Sequence, residues 1–203
     1  MKTKSFFLVI SFLIIALSST AQKSGTFTDK RDGKIYKTVQ IGKQTWMAEN
    51  LAYEKAEGNR WAYDRNKSNV ATYGYLYDWE AANTACPSGW HLPDEEEWTT
   101  LIDYLGGEDV AKDKLKSTKS WGKTSTGTDN SSGFAALPGG FQYYDEDSEV
   151  SFDAIGKEGY WWSSTRSSVK NNVIYLQLGE TCLLSRLGYH VSSGLSVRCL
   201  KDK

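Results

Sequence analysis

The stretch that decides the fold covers residues 86–107 and reads CPSGWHLPDEEEWTTLIDYLGG. Asp94 is a favourable helix N-cap, and Glu97 follows three residues later, which is the spacing of a capping box. The glycine pair at 106–107 is typical of a helix C-terminus. Between these signals, the apolar residues recur at the spacing of one helical face: Trp98, Leu101, Ile102 and Leu105. The stretch therefore predicts an amphipathic helix that begins shortly after a cysteine-containing turn.

Short strands and turns are predicted on the N-terminal side of this helix. Residues 35–41 alternate apolar with polar side chains, as a half-buried strand does, and Gly42 turns the chain into a second strand. Residues 77–85 contain good helix formers and end before Pro87. A further short helix is expected over about residues 108–116, with three residues facing inward: Val110, Ala111 and Leu115.

The C-terminal half has the two-residue period of strands. Residues 117–132 are rich in Ser, Thr, Gly and Lys and are predicted to form a loop. Long loops are also expected over about residues 142–159 and 165–193. The predicted strands cover five segments: 134–137, 140–143, 160–164, 173–178 and 195–200. The pattern predicts one α+β domain with a mainly antiparallel sheet.

Composition excludes several classes of partner. The chain has 24 Lys+Arg and 25 Asp+Glu, a formal net charge of -1, so it carries no chain-wide field that would attract nucleic acid. Eight Trp and twelve Tyr indicate that aromatic side chains form much of the core, and this aromatic content excludes a disordered chain.

The first 21 residues have the features of a secretory signal peptide. Two lysines precede an apolar run over residues 6–17, and Ser19 and Ala21 occupy the -3 and -1 positions of a cleavage site. The run is shorter than the roughly 18 to 20 apolar residues of a membrane span, so no membrane insertion of the mature chain is expected. Residues 22–203 are predicted to form an exported domain, which is more acidic because the signal peptide removes two lysines.

The sequence predicts neither a metal site nor a cofactor. Its cysteines, Cys86, Cys182 and Cys199, show no CxxC and no Cys/His cluster at zinc spacing. In an exported protein, three thiols allow at most one internal disulfide. Two histidines are too few for a three-histidine iron site, and the Gly-x-Ser-x-Gly motif of hydrolases is absent.

Several runs resemble the Fibrobacter succinogenes major paralogous domain, in the same order and over nearly the whole mature chain. They are DGKIYKTV at 32–39, IGKQTWMAENL at 41–51, YGYLY at 73–77, CPSGWHLP at 86–93, EW at 97–98, GFAALPGG at 133–140, WSS at 162–164 and GLSVRC at 194–199. The run at 89–93 and the spacing of Gly194 and Arg198 are also distantly similar to sulfatase-modifying, formylglycine-generating enzymes.

This resemblance implies a C-type lectin-like fold: a twisted, mainly antiparallel sheet with two helices, paired terminal strands and long loops that form the binding face. It also implies a disulfide between Cys86 and Cys199. An enzyme of the formylglycine-generating type would need a reactive cysteine pair that works with copper, and this chain departs from that requirement. We therefore expect a protein that is not an enzyme.

The function expected from the resemblance is an exported binding module for a glycan or a cell-surface protein. Trp and Tyr rings can stack on sugars, so Tyr143 and Trp161 are candidates in addition to six loop residues. Those six are Tyr144, Asp145, Asn171, Asn172, Tyr189 and His190. A structural or adhesive envelope component is the alternative.

Calcium is not expected to bind the acidic run at 145–149. Neighbouring strand residues point to opposite faces, so their carboxylates do not converge on one ion. The lectin calcium signatures Glu-Pro-Asn and Trp-Asn-Asp are also absent. The run is predicted to be a solvated loop.

Overall fold

The computed structural model describes residues 23–122 and 127–203, so the predicted signal peptide lies outside the described residues. The four short helices are α1 (Val70–Tyr73), α2 (Trp79–Ala85), α3 (Glu95–Tyr104) and α4 (Glu108–Leu115). The strands are β1 (Ser24–Thr28), β2 (Ile35–Ile41), β3 (Gln44–Met47), β4 (Arg60–Trp61), β5 (Leu76–Tyr77), β6 (Trp90–His91), β7 (Gly139–Tyr144), β8 (Val150–Ile155), β9 (Gly159–Arg166), β10 (Asn172–Leu178), β11 (Cys182–His190), β12 (Leu195–Ser196) and β13 (Leu200–Lys201). The class is therefore α+β, as predicted.

The strands form two sheets. The first has the order β1-β2-β3-β13-β6, so the last strand of the chain inserts between β3 and β6. The terminal strands thus share a sheet, but β13 pairs with β3 while β1 pairs with β2. The second sheet has the order β11-β10-β9-β12-β5-β4, and the β7–β8 hairpin joins it through a parallel bridge from β7 to β9.

Helix α3 forms as the sequence predicts. The Asp94 carboxylate accepts a hydrogen bond from the Glu97 amide at 2.8 Å, and the Glu97 carboxylate accepts one from the Asp94 amide at 3.1 Å. This reciprocal pair satisfies two amides that no helical carbonyl can reach. Trp98 and Leu101, on the predicted apolar face of the helix, are completely buried.

The two faces of the central strands pack against different layers. Trp161 and Leu176 are paired across β9 and β10, and both belong to a core cluster with residues of α3 and α4. Their neighbours Trp162 and Tyr175 point to the other face and join a cluster with the alanines of α2. Because the side chains of a strand alternate, each aromatic run in these strands contributes to both layers.

A disulfide attaches the end of α2 to the last segment of the chain. Cys86 caps the C-terminus of α2, and Cys199 directly precedes β13. Their sulfur atoms are 2.07 Å apart and their Cα atoms 5.9 Å apart. The predicted pairing of Cys86 with Cys199 is therefore confirmed, and Cys182 is left as a buried free thiol.

Several local predictions were wrong. Strands β8 and β11 lie where long loops were expected. In β11, Leu183 and Leu187 are exposed, so its apolar residues do not mark one buried face. In β8, apolar and polar residues do alternate over 150–154, and the loop prediction overlooked this signal. Residues 134–137 form only an isolated bridge, since Ala135 has a φ of 54° that interrupts an extended strand. Val110 is 43% exposed, because the buried stripe of the short helix α4 is filled by Ala111 and Leu115. The described ranges contain four short helices, where the resemblance implied two.

Candidate functional site

The centre of the molecule is a buried polar hub on Asn50. Its Oδ1 accepts hydrogen bonds from Trp161 Nε1 at 2.9 Å and from Arg198 Nη2 at 2.7 Å and Nε at 3.2 Å. Its Nδ2 donates to the carbonyl of Tyr73 at 2.8 Å and to Ser196 Oγ at 3.2 Å. We call this the Asn50 hub. It joins four segments that are distant in sequence, and these include segments that carry the family resemblance.

Arg198 supplies a buried positive charge to this hub. Its side chain is fully buried, donates to the Phe134 carbonyl and lies 4.3 Å from the centre of the Phe134 ring. Burial lowers the pKa of Arg198 to about 9, while Glu49 opposes this shift, so the group remains cationic at neutral pH. Within residues 23–122 and 127–203, no carboxylate lies within 4.0 Å of its guanidinium.

A surface groove of about 720 Å³ lies beside the Asn50 hub, and Asn50 itself lines it. We call this the lysine groove. It is bordered by β1, β2, the segment after β3, helix α1 and residues of 117–120 and 130–137. Its lining residues include the hydrogen-bonding side chains Ser24, Lys34, Lys37, Thr38, Glu49, Thr72, Ser117, Lys119, Ser120 and Asn130. The volume falls within the roughly 300 to 1,000 Å³ that is typical of ligand pockets.

The charge of the lysine groove is positive. Three lysines and one carboxylate line it, and Glu49 lies 3.9 Å from the Lys37 ammonium. That pair is solvent exposed and therefore weak. The buried guanidinium of Arg198 adds to the positive charge beneath the groove, because its acceptor Asn50 lines the wall. In a chain of net charge -1, the groove is a local region that favours an anionic ligand.

The backbone of the lysine groove is strained. Ser120, Asn130 and Ala135 line it with φ values of 73°, 50° and 54°, in the left-handed region that L-residues rarely occupy. Ala135 is held there by its amide, which donates to Asn130 Oδ1 at 2.8 Å. Such strain costs on the order of 1 to 3 kcal/mol per residue and is concentrated at functional sites. At Gly74, a Cβ would lie 2.5 Å from the Leu51 carbonyl, so only glycine fits this wall.

None of the six residues predicted to contact ligand lines the lysine groove. Asp145 holds the β7–β8 turn: its Oδ1 accepts from the amides of Asp147 at 3.1 Å and Glu149 at 2.9 Å. These bonds lower the pKa of Asp145 despite an opposing contribution from burial, with the Glu149 amide as the largest cause. The acidic run is thus part of a turn, and the described part of the chain contains no group of three or more metal-ligating side chains.

Three of the predicted residues lie together at the open end of β10 and β11. Asn172 and His190 are cross-strand partners, and Asn171 adopts a φ of 62° in the turn before β10. Asn172 Nδ2 donates to the Leu187 carbonyl at 3.0 Å, and His190 Nδ1 lies 2.7 Å from Ser192 Oγ. Asn172 and His190 are therefore strand residues, contrary to the predicted loop, and their contact with a ligand stays a prediction.

The two predicted tyrosines lie on different surfaces. Tyr144 is 43% exposed at the end of β7. Tyr189 lies in β11, and its ring is 5.4 Å from Phe141 and 5.5 Å from Tyr175. Burial, reinforced by Tyr175, raises the pKa of Tyr189 to about 12. Trp161, which was expected on the binding face, is completely buried because it faces the α3 and α4 layer.

The titratable groups do not form a cysteine-based catalytic centre. Cys86 and Cys199 are joined in the disulfide, and burial raises the pKa of the Cys182 thiol to about 12. A protonated, buried thiol is a poor nucleophile. His91 lies 2.6 Å from Asp202 Oδ1 and 2.9 Å from Glu97 Oε2, where it joins the C-terminal segment to α3.

The sequence reasoning missed the lysine groove, although it quoted several of its residues. Ala48–Asn50, Gly74 and 133–137 belong to runs that carry the resemblance, and they were assigned to the fold alone. The strained backbone of Ser120, Asn130 and Ala135 has no signature in composition or periodicity. The groove forms where the runs that contain Ala48–Asn50, Gly74 and residues 133–137 come together in space. Locating it requires knowledge of the topology, which the sequence does not show.

The comparisons with known proteins confirm the family resemblance predicted from the sequence. A family model described as the Fibrobacter succinogenes major domain matches residues 39–201. No curated protein and no solved structure matches the chain. The matched range begins within β2, ends at the last residue of β13 and includes most residues of the Asn50 hub and the lysine groove. The chain therefore belongs to the Fibrobacter succinogenes major domain family.

Proposed function

We propose that this protein is an exported, non-catalytic binding module with a C-type lectin-like fold, and that it holds an oligosaccharide in the lysine groove. The observation that carries the proposal is the groove itself, with its hydroxyl, amide and ammonium side chains on a strained backbone. Sugars present many hydroxyl groups, which such side chains bind through networks of hydrogen bonds.

The lectin-like assignment is supported by the arrangement of the chain ends. The last strand lies in the sheet formed by the N-terminal hairpin, and the disulfide attaches it to the end of α2. Irregular segments, such as 117–120 and 130–137, lie outside this arrangement and border the groove. Ligand sites commonly lie on loops that a rigid scaffold supports.

Export and the absence of catalysis are parts of the same proposal. Disulfides persist in oxidising compartments, which fits delivery outside the cytoplasm. The buried, protonated state of Cys182 offers no nucleophile to a formylglycine-type reaction. No helix in the described residues has both the length and the apolar character needed to cross a bilayer.

The test is a glycan array that is probed with residues 22–203, with and without a calcium chelator. We expect binding to acidic glycans in preference to their neutral counterparts, because the groove carries a net positive charge. We expect the chelator to have no effect, because the acidic run at 145–149 is occupied in a turn. Failure to bind any glycan would favour the alternative of a structural envelope component.

A further inference from the structure

A second recess is lined by residues between Glu54 and Tyr75 and shares no residue with the lysine groove. Its volume is about 290 Å³, close to the lower limit for ligand pockets. We call it the basic recess. Its lining combines two aromatic rings, three cations and one carboxylate: Trp61, Tyr75, Arg60, Arg65, Lys67 and Glu54.

The two guanidinium groups of the basic recess lack carboxylate partners. In the described ranges, no Asp or Glu oxygen lies within 4.0 Å of Arg60 or Arg65, while the single carboxylate, Glu54, lies 3.7 Å from Lys67. Arg60 Nε is buried and makes no hydrogen bond. Arg65 Nη2 makes one long bond, 3.4 Å, to the Val150 carbonyl. Because this Nε atom is not accessible, a ligand in the recess would have to use the other nitrogens of the guanidinium group, which have no carboxylate partner.

The aromatic wall of the recess is held rigidly. Trp61 pairs with Leu76 across β4 and β5, and the position of a Cβ on Gly194 would lie 2.8 Å from its ring. Only glycine at position 194 therefore allows this approach to the indole. Arg60 lies 5.9 Å from the centre of the buried Tyr75 ring. A ligand ring in the recess would meet an aromatic surface whose position the fold has already fixed.

The backbone at the rim of the recess is strained. Asp64 and Arg65 are consecutive residues with φ values of 53° and 56°. The residue before this pair, Tyr63, packs against Phe152 of β8, with 5.3 Å between the ring centres. Tyr144 and Phe152 share that face of the β7–β8 hairpin, because Tyr144 pairs with Val150, and Val150 and Phe152 are two residues apart. This placement puts the predicted ligand residue Tyr144 on the hairpin face that adjoins Arg65.

We infer that the basic recess binds one acidic sugar unit, with the carboxylate on the guanidinium groups of Arg60 and Arg65 and the apolar face of the sugar ring against Trp61. Guanidinium groups form paired, planar hydrogen bonds with a carboxylate, which an ammonium group cannot reproduce. The small volume limits the site to a single ring. The recess is a binding site separate from the lysine groove, so each can be tested without the other.

The probe for this inference is free D-glucuronate, with D-glucose as the neutral sugar of the same ring size. Titration of residues 22–203, followed by NMR on the backbone amides and indole N–H groups, should give saturable shifts at Trp61 and Arg65 with glucuronate. Glucose should bind at least about tenfold more weakly, because it has no carboxylate to pair with the arginines.

Variants of Arg65 separate the effect of its charge on glucuronate affinity from the effects of its planar donor pair and of protein stability. Arg65 is exposed, so Arg65→Gln should leave the thermal midpoint unchanged and weaken glucuronate about tenfold. Arg65→Lys should recover part of the loss, since it restores charge without the planar donor pair. Arg166→Gln is the matched control, because Arg166 is also exposed and lies 4.3 Å from an indole ring, that of Trp79. The lysine groove variant Lys34→Glu/Lys119→Glu should give the same glucuronate shifts at Trp61 and Arg65 as the unmodified protein, because neither lysine lines the recess.

Three results would overturn the inference. Equal shifts with glucose would remove the role of the carboxylate, and equal shifts at Trp61 with inorganic sulfate would show that no sugar ring is recognised. Equal weakening by Arg166→Gln would show a non-specific charge effect.

The inference and the proposed function can fail separately. If glucuronate shifts Trp61 as expected but the lysine groove variant binds the glycan array as the unmodified protein does, the recess is supported and the proposed function of the groove fails.

Discussion

The Asn50 hub and the lysine groove are adjacent, and they differ in how their polar groups are used. In the hub, Asn50 uses both ends of its amide, and its partners Trp161 and Arg198 are buried. In the groove, polar side chains face solvent and three residues adopt strained backbone conformations. The difference indicates that the hub stabilises the fold, while the groove presents polar side chains to solvent on a strained backbone, which fits the proposed binding site.

Removal of the disulfide should have the largest effect on stability. Cys86→Ser/Cys199→Ser frees a loop closed across 113 residues, and the chain-entropy model gives a loss of about 5 kcal/mol in the free energy of unfolding. Urea unfolding followed by tryptophan fluorescence measures it. Cys182→Ala is the control and should cost much less, because its thiol is not bonded. A loss below about 1 kcal/mol in the double variant would show that the disulfide does not stabilise the core.

Asn50→Ala should cost about 3 kcal/mol or more, because it leaves the Arg198 charge and the Trp161 N–H buried without their acceptor. Lys37→Ala changes an exposed residue of the neighbouring groove and should shift the free energy of unfolding by less than about 0.5 kcal/mol. Chemical unfolding of both variants makes the comparison directly. Similar losses would contradict the division between hub and groove.

Ala135→Gly should raise the free energy of unfolding by about 0.5 to 1 kcal/mol, because glycine occupies the left-handed region without strain, although it has more entropy to lose. Ala136→Gly is the matched control: Ala136 is completely buried and has no positive φ, so the change should destabilise by about 1 kcal/mol. Opposite signs at adjacent alanines would confirm stored strain in the groove. A loss of stability in both variants would exclude it.

The smallest effect is expected from His91, at the edge of the core. Burial works to lower the pKa of His91, but hydrogen bonds with Asp202 and Glu97 outweigh it and raise the pKa. The stabilisation is therefore complete below about pH 6.5 and is lost as the pH rises through the raised value. The ring is 39% exposed, so solvent screening keeps the effect below about 1 kcal/mol.

The check is the free energy of unfolding at pH 6 and pH 8 for the unmodified protein and for His91→Gln. The unmodified protein should lose more stability between these values than the variant does, and the difference between the two losses reports the ion pairs of His91. An equal or larger loss in the variant would contradict the assignment.

The parts of the structure that depend on local sequence signals were predictable. Helix α3 follows from the Asp94 capping box, and strand β2 follows from an alternation of burial that is interrupted only at Thr38 and Val39. The pairing of Cys86 with Cys199 came from the resemblance, because the pattern of three cysteines leaves the partner open. Strand β11 was missed because two of its leucines, Leu183 and Leu187, are exposed, so its apolar residues do not mark one face. Strand β8 does alternate over residues 150–154 and could have been predicted.

The lysine groove could not be predicted because it depends on contacts between distant segments. Asn50 and Arg198 are 148 residues apart, and no local pattern indicates that they share a hydrogen bond. The left-handed conformation of Ala135 is also set by tertiary contact, since alanine alone disfavours it. The predicted ligand residues were chosen as loop positions, and several of them lie in strands that the sequence does not reveal.

The most direct test of the account is the affinity of residues 22–203 for the strongest acidic ligand on the glycan array, measured by calorimetry with two charge-reversal variants. Lys34→Glu/Lys119→Glu reverses two charges that line the lysine groove, and Lys170→Glu reverses an exposed lysine in the turn before β10. The account predicts at least a tenfold loss of affinity in the groove variant and no change in the Lys170 variant, with all three proteins equally stable. Equal affinity of all three proteins would contradict the assignment of the lysine groove as the binding site.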